Sequence, residues 1–125
     1  MSVTRQILIV EDDSALRASL AEQITLGGDF VADLADSAAE AEQILAGTSA
    51  RYDVILLDVG LPDADGRELC AKLRRDGRRM PVIMLTGSDG ETDVVRGLDA
   101  GANDYIAKPL DVEKLLSLVR VWMPR

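Results

Sequence analysis

Histidine is missing from all 125 residues. Its absence removes the side chain that titrates near neutrality, the commonest metal ligand and any phosphohistidine formed within the chain. Cysteine occurs once, at Cys70, so no internal disulfide can form, which suits a reducing cytoplasm. Aromatic residues make up only 3%, leaving aliphatic side chains to build the core. Lys and Arg number 14 against 22 Asp and Glu, a net charge of -8. That shortage of cations argues against nucleic acid contact by this chain, because phosphate binding needs a clustered basic excess. No apolar run is long enough for a signal peptide or a membrane span.

What is present is a regular alternation. Gln6 to Val10 (QILIV) is short, apolar and β-branched, the pattern of a buried strand. Leu16, Leu20 and Ile24 then follow at helical spacing until Gly27-Gly28. Phe30 to Ala35 reads as a weaker strand, and Ser37 to Glu40 has the form of a capping box opening a helix. Asp53 to Leu57 is the most apolar strand, followed by a helix carrying Leu69 and Leu73. Pro81 to Thr86 is a fourth strand, with a second capping box at Ser88 to Glu91 before a helix with Val94, Val95 and Leu98. Asp104 to Ala107 is a fifth strand, and the last helix carries Val112, Leu115, Leu116 and Val119 on one stripe. Strands that are apolar throughout imply a parallel sheet covered on both faces. The expected fold is therefore α/β, a doubly wound (βα)5 sandwich formed as a single domain over residues 1–125.

In such sheets, ligands bind beyond the carboxyl ends of the strands. Glu11, Asp12 and Asp13 follow the first strand, Asp58 the third, Thr86 the fourth and Lys108 the fifth. Each is unremarkable alone; their joint arrival at one edge is the signal. Carboxylates brought together repel, and an all-oxygen set favours a hard ion, Mg²⁺ or Mn²⁺. Glu11, Asp12 and Asp58 supply about three negative charges, which Lys108 and a divalent ion would balance. Helix capping is the better account of Asp13 or Ser14, but it explains Glu11 and Asp12 together less well. A backbone-bonded hydroxyl at a strand end would explain Thr86. A surface lysine would explain Lys108 less well, because Pro109 fixes the chain beside it.

The stretches ILIVEDD, DVILLDVGLPDADG, PVIMLTG and GANDYIAKPL, in this order and spacing, resemble the receiver domain of bacterial two-component response regulators along nearly the whole chain. The resemblance implies a flavodoxin-like fold with strand order 2-1-3-4-5. It implies a phosphoacceptor switch rather than an enzyme, loaded in a phosphorelay by a sensor histidine kinase or histidine phosphotransfer protein. Asp58 would be the acceptor. Asp12, Asp58 and the Gly60 carbonyl would ligate Mg²⁺, with Glu11 acting through water. Lys108, ahead of a cis Pro109, would pair with a phosphoryl oxygen and Thr86 would donate its hydroxyl to another. Tyr105 would change rotamer with Thr86, and the positions of Gly60 and Ser88 would tune the phosphoryl lifetime. The implied location is cytoplasmic.

Many receivers regulate winged-helix transcription factors and form homodimers through charged residues of the fourth helix, fifth strand and fifth helix. Here Val94 and Leu118 stand where basic residues are usual, and Lys114 where an acid is usual. The expectation is a more apolar partner surface built on Val94, Leu118, Val121 and Trp122. The chain is expected to be either stand-alone or the N-terminal regulatory domain of a DNA-binding response regulator. Three other readings compete. A degenerate receiver would lack the acceptor, a pocket acid or the lysine. A flavodoxin-like cofactor protein would need a Ser/Thr/Gly phosphate loop where EDDS stands. A small-molecule metal phosphatase would want a second acid beside its nucleophile.

Overall fold

The computed structural model describes residues 5–47, 52–87 and 91–122, the side chains of residues 91–94 excepted. The first half runs β1 (Arg5–Val10), α1 (Ser14–Thr25), β2 (Phe30–Ala35), α2 (Ala38–Gly47), β3 (Val54–Asp58) and α3 (Gly66–Arg75). The second half runs β4 (Val82–Thr86), α4 (Glu91–Asp99), β5 (Asp104–Ala107) and α5 (Val112–Trp122). The five strands form one parallel sheet in the order β2-β1-β3-β4-β5. This is the flavodoxin-like arrangement.

Continuous apolar strands feed two cores. Leu8, Val10, Ile55, Leu57 and Met84 face α2 and α3. Their neighbours Ile7, Ile9, Leu56, Ile83 and Leu85 face α1 and α5. β3 and β4 are therefore buried at every position. β2 lies at the sheet edge with Val31 and Leu34 exposed, which accounts for its weaker pattern. β3 starts one residue later than its apolar run suggests. Asp53 is instead a bridge to β1, its carboxylate accepting the Gln6 N–H at 2.8 Å. Pro81 likewise precedes β4 and offers its carbonyl to Ile55 N–H at 2.9 Å.

Local chemistry sets the helix starts. Asp13 caps α1 by accepting the Leu16 N–H at 3.0 Å, and Asp65 caps α3 through the Arg67 N–H at 2.8 Å. At α2 the Ser37 hydroxyl accepts the Glu40 N–H, while the Glu40 carboxylate reaches back to the Asp36 N–H rather than to that of Ser37. The capping box expected at Ser88 lies outside the described residues.

Two helices differ from their sequence pattern. α4 approaches Met84 through the buried Gly97, and Val95 and Leu98 turn outward. On α5, Leu115 and Val119 are buried while Val112 and Leu116 are half-buried. Leu118 and Trp122 also pack partly against the core, and the Trp122 Nε1–H donates to Asp104 Oδ2 at 3.0 Å. The apolar surface of α5 is thus narrower than its spacing suggests, with Val121 its exposed member. The side chain of Val94 lies outside the described residues.

Tyr52, just ahead of β3, is buried and donates its hydroxyl to Asp33 Oδ2 at 2.6 Å. Burial pushes the phenol well above its ordinary range, and the bond to Asp33 pushes the same way. The folded state therefore holds this proton to higher pH than the unfolded chain does. Stability contributed by Tyr52 is complete below about pH 10 and is lost as pH rises beyond it. Denaturation measured from pH 8 to 11.5, roughly spanning that onset, should show a steeper alkaline decline in the wild type than in Tyr52→Phe. Superimposable profiles would refute this assignment.

Candidate functional site

The parallel register brings the chemistry to one edge. Val10 pairs with Leu57, so Glu11 and Asp58 come next on adjacent strands. Thr86 pairs with Ala107, which places Lys108 one step further along. The ladder itself extends past the strand ends: Glu11 N–H donates to Ala35 O at 3.0 Å and Lys108 N–H to Thr86 O at 2.7 Å. Glu11, Asp12, Asp58, Gly60, Thr86 and Lys108 all line a single open cleft of about 540 Å³. Tyr105 lies elsewhere on β5. It is 37% exposed and borders a narrow apolar gap whose wall also includes Thr86, Met84 and Leu98.

The electrostatics are strained by burial. Glu11 is 0% exposed and Asp58 4%, whereas Asp12 faces solvent. Carboxylate oxygens of the three lie within 4.8 Å of one another. The Lys108 Nζ answers two of them, at 2.7 Å from Glu11 Oε1 and 3.2 Å from Asp58 Oδ1. Burial still pushes the Glu11 carboxyl above the ordinary range, against the opposing hydrogen bond from Lys108. For Lys108, burial alone would lower the pKa. The bond to Glu11 and the charges of Asp58 and Glu11 outweigh it and hold the ammonium above its usual value.

One lysine therefore leaves an acidic excess in a half-enclosed, all-oxygen site. That donor set fits a hard divalent cation, which would supply the missing charge. Lys108 is followed by a cis peptide bond to Pro109. The Lys108 backbone is held at the sheet edge by its bond to Thr86.

Several positioning residues have no obvious mark in the sequence. Gly66 opens α3 directly over Asp58, and its N–H donates to Val59 O at 2.8 Å. Asp63 reaches across to α2, where its two oxygens accept the N–H groups of Ala38 and Ala39, both at 2.9 Å. These bonds hold the Asp63 carboxyl below the usual carboxylate range. Arg67 pairs with Asp65 at 2.6 Å and keeps that carboxyl low as well. Asp63 and Asp65 therefore organise the loop after β3, and neither belongs to the acidic cluster of the cleft.

Known proteins agree with this geometry. The receiver domain of the Francisella response regulator 1452 superposes with a TM-score of 0.88 over 95% of this chain and 96% of that one, at 27% identity. A CheY-like response regulator receiver domain protein from Methanospirillum hungatei JF-1 gives 0.82 over 95% and 93%, at 32% identity. Residues 7–120 match the response regulator receiver domain model, and the chain belongs to that family of phosphoacceptor switch domains. It is 41% identical to response regulator MprA of Mycobacterium ulcerans over 120 residues, 96% of this chain and 50% of that protein. The chain spans about half the length of the curated relatives it matches. Among the described residues no helix is long and apolar enough to cross a membrane.

Proposed function

We propose that Asp58 is the phosphoacceptor, loaded by a phosphohistidine on a sensor kinase or histidine phosphotransfer protein. The observation that carries this reading is the position of Asp58, buried at the end of β3 with Glu11, Asp12 and Lys108 converging on it. Its Oδ1 faces Lys108 at 3.2 Å and the Gly60 N–H at 3.3 Å. Oδ2 is then the oxygen that attacks phosphorus. An O–P bond forms as the P–N bond of the donor breaks, and the imidazole leaves with its electron pair. Asp58 needs no general base, because a carboxylate is already ionised.

Mg²⁺, or Mn²⁺ in its place, would be held by Asp12, Asp58 and the Gly60 carbonyl, with Glu11 through water. It would neutralise charge on the transferring oxygens. Lys108 adds a point charge toward a phosphoryl oxygen, and the Thr86 hydroxyl donates to another. The product carries roughly one more negative charge than the free carboxylate. Thr86 drawn toward it would open the gap it shares with Tyr105, which can then turn inward. Val95, Leu98, Tyr105 and Val121 are all exposed, and they support an apolar output surface on α4, β5 and α5, in a homodimer or toward another partner.

The half-length match to longer response regulators favours a regulatory domain within a larger regulator over a stand-alone one. A cytoplasmic location belongs to the same reading. The test is incubation with acetyl phosphate and Mg²⁺, followed by intact mass. One acid-stable, base-labile phosphoryl adduct is expected, and it should need the metal. No adduct would refute the assignment.

A further inference from the structure

The acidic loop after β1 is held from behind by a residue of α1. Arg17 Nη1 donates to the Glu11 carbonyl at 2.8 Å and reaches the Asp12 carbonyl at 3.4 Å. The same loop is fixed at its other points by the Glu11 N–H on Ala35, the Asp13 N–H on Glu11 Oε2 and the Asp13 cap of α1. The Asp13 N–H bond orients the planar peptide unit that carries the Asp12 carbonyl, but none of these bonds reaches the Glu11 carbonyl. Arg17 alone, among the described residues, makes a side-chain contact to both.

These two peptide units decide where the Glu11 and Asp12 side chains point. Turning the Glu11 carbonyl toward solvent would change ψ of Glu11 and φ of Asp12, and so redirect the Asp12 carboxylate relative to Asp58 and Glu11. We infer that Arg17 is a positioning residue for the cation site, clamping the Glu11 and Asp12 carbonyls so that both carboxylates converge with Asp58. It touches neither the ion nor the phosphoryl group in this role. It acts through the backbone, and its charge also offsets part of the local acidic excess. The inference rests on the cation-site reading given above.

Outer groups that orient metal ligands typically contribute about 10-fold or more to metal affinity. Calorimetric titration with Mg²⁺ is therefore expected to show Arg17→Ala binding about 10-fold more weakly than wild type. Arg17→Lys, which keeps one charged donor but loses the planar fork, should fall between them. Thermal unfolding without metal should be nearly the same in all three, because Arg17 is only half-buried and leaves no core cavity. Equal Mg²⁺ affinity in wild type and Arg17→Ala would overturn the clamp. So would a loss of affinity matched by a comparable loss of metal-free stability, which would mark a general structural role. Failure of the wild type itself to bind Mg²⁺ would instead remove the cation-site reading, and the clamp with it.

Discussion

Asp58→Asn is expected to take up no phosphoryl group from acetyl phosphate and Mg²⁺ under conditions that load the wild type to one equivalent. The change is nearly isosteric. The Asn carbonyl oxygen can still accept from the Gly60 N–H and face Lys108, as Oδ1 does at 3.3 and 3.2 Å. What disappears is the ionised oxygen that attacks phosphorus, and an amide is a poor substitute. The fold should not suffer. Asp58 and Glu11 are buried like charges sharing one lysine, so neutralising one of them relieves repulsion. Metal-free stability is expected to be equal to or above that of wild type, and Mg²⁺ binding weaker. This opposition separates loss of the nucleophile from loss of the structure. An adduct of equal yield in Asp58→Asn would transfer the acceptor role to another carboxylate, with Asp12 first in line because it lines the same cleft.

The strands were legible because burial on both faces writes itself as an uninterrupted apolar run. Asp58, Thr86 and Lys108 were legible for the same reason, since each interrupts or directly follows such a run. Strand order was different. An apolar run such as Val54–Leu57 declares a strand but not its neighbours, and the order is implied only by the resemblance. Contacts that join distant segments through backbone groups left no local mark. Asp63 caps a helix 25 residues away, and within LPDADG it reads only as a turn residue. Arg17 occupies an ordinary position on an amphipathic helix, and nothing in its spacing reveals the carbonyls behind it. The helix faces were the other difficulty. α4 meets the sheet at Gly97, so close approach is bought with the absence of a side chain while Val95 and Leu98 face outward. Helical spacing alone assigns Leu98 inward. On α5, the long indole of Trp122 reaches Asp104 from the edge of the stripe, which spacing does not anticipate.

Gly66→Ala is expected to be strongly destabilising, with the tightest backbone clash of any alanine placed at the described glycines. A Cβ at position 66 would lie 2.1 Å from the Asp58 carbonyl oxygen and 3.0 Å from both Asp58 C and Val59 Cα. All three are backbone atoms, so no side chain can swing aside. Relief requires α3 to lift away from the end of β3, and two bonds oppose that movement. The Gly66 N–H is tied to Val59 O at 2.8 Å, and Gly60 bridges to Asp65 immediately before the helix. In an unobstructed helix the change from Gly to Ala would stabilise by about 1 kcal/mol. Overpacking against fixed atoms costs about 1–3 kcal/mol and sometimes more. The backbone clash puts the cost at the upper end, a net loss of about 2 kcal/mol in chemical denaturation once the helix gain is subtracted. Gly47→Ala is the matched control, since nothing lies within 4 Å of a Cβ there, and it should be neutral or stabilising. The folded fraction of Gly66→Ala should also load phosphate more slowly, because the displaced backbone is the one that carries Asp58. Wild-type stability in Gly66→Ala would mean that α3 can separate from β3 at no cost, and that the acceptor is not held by this contact.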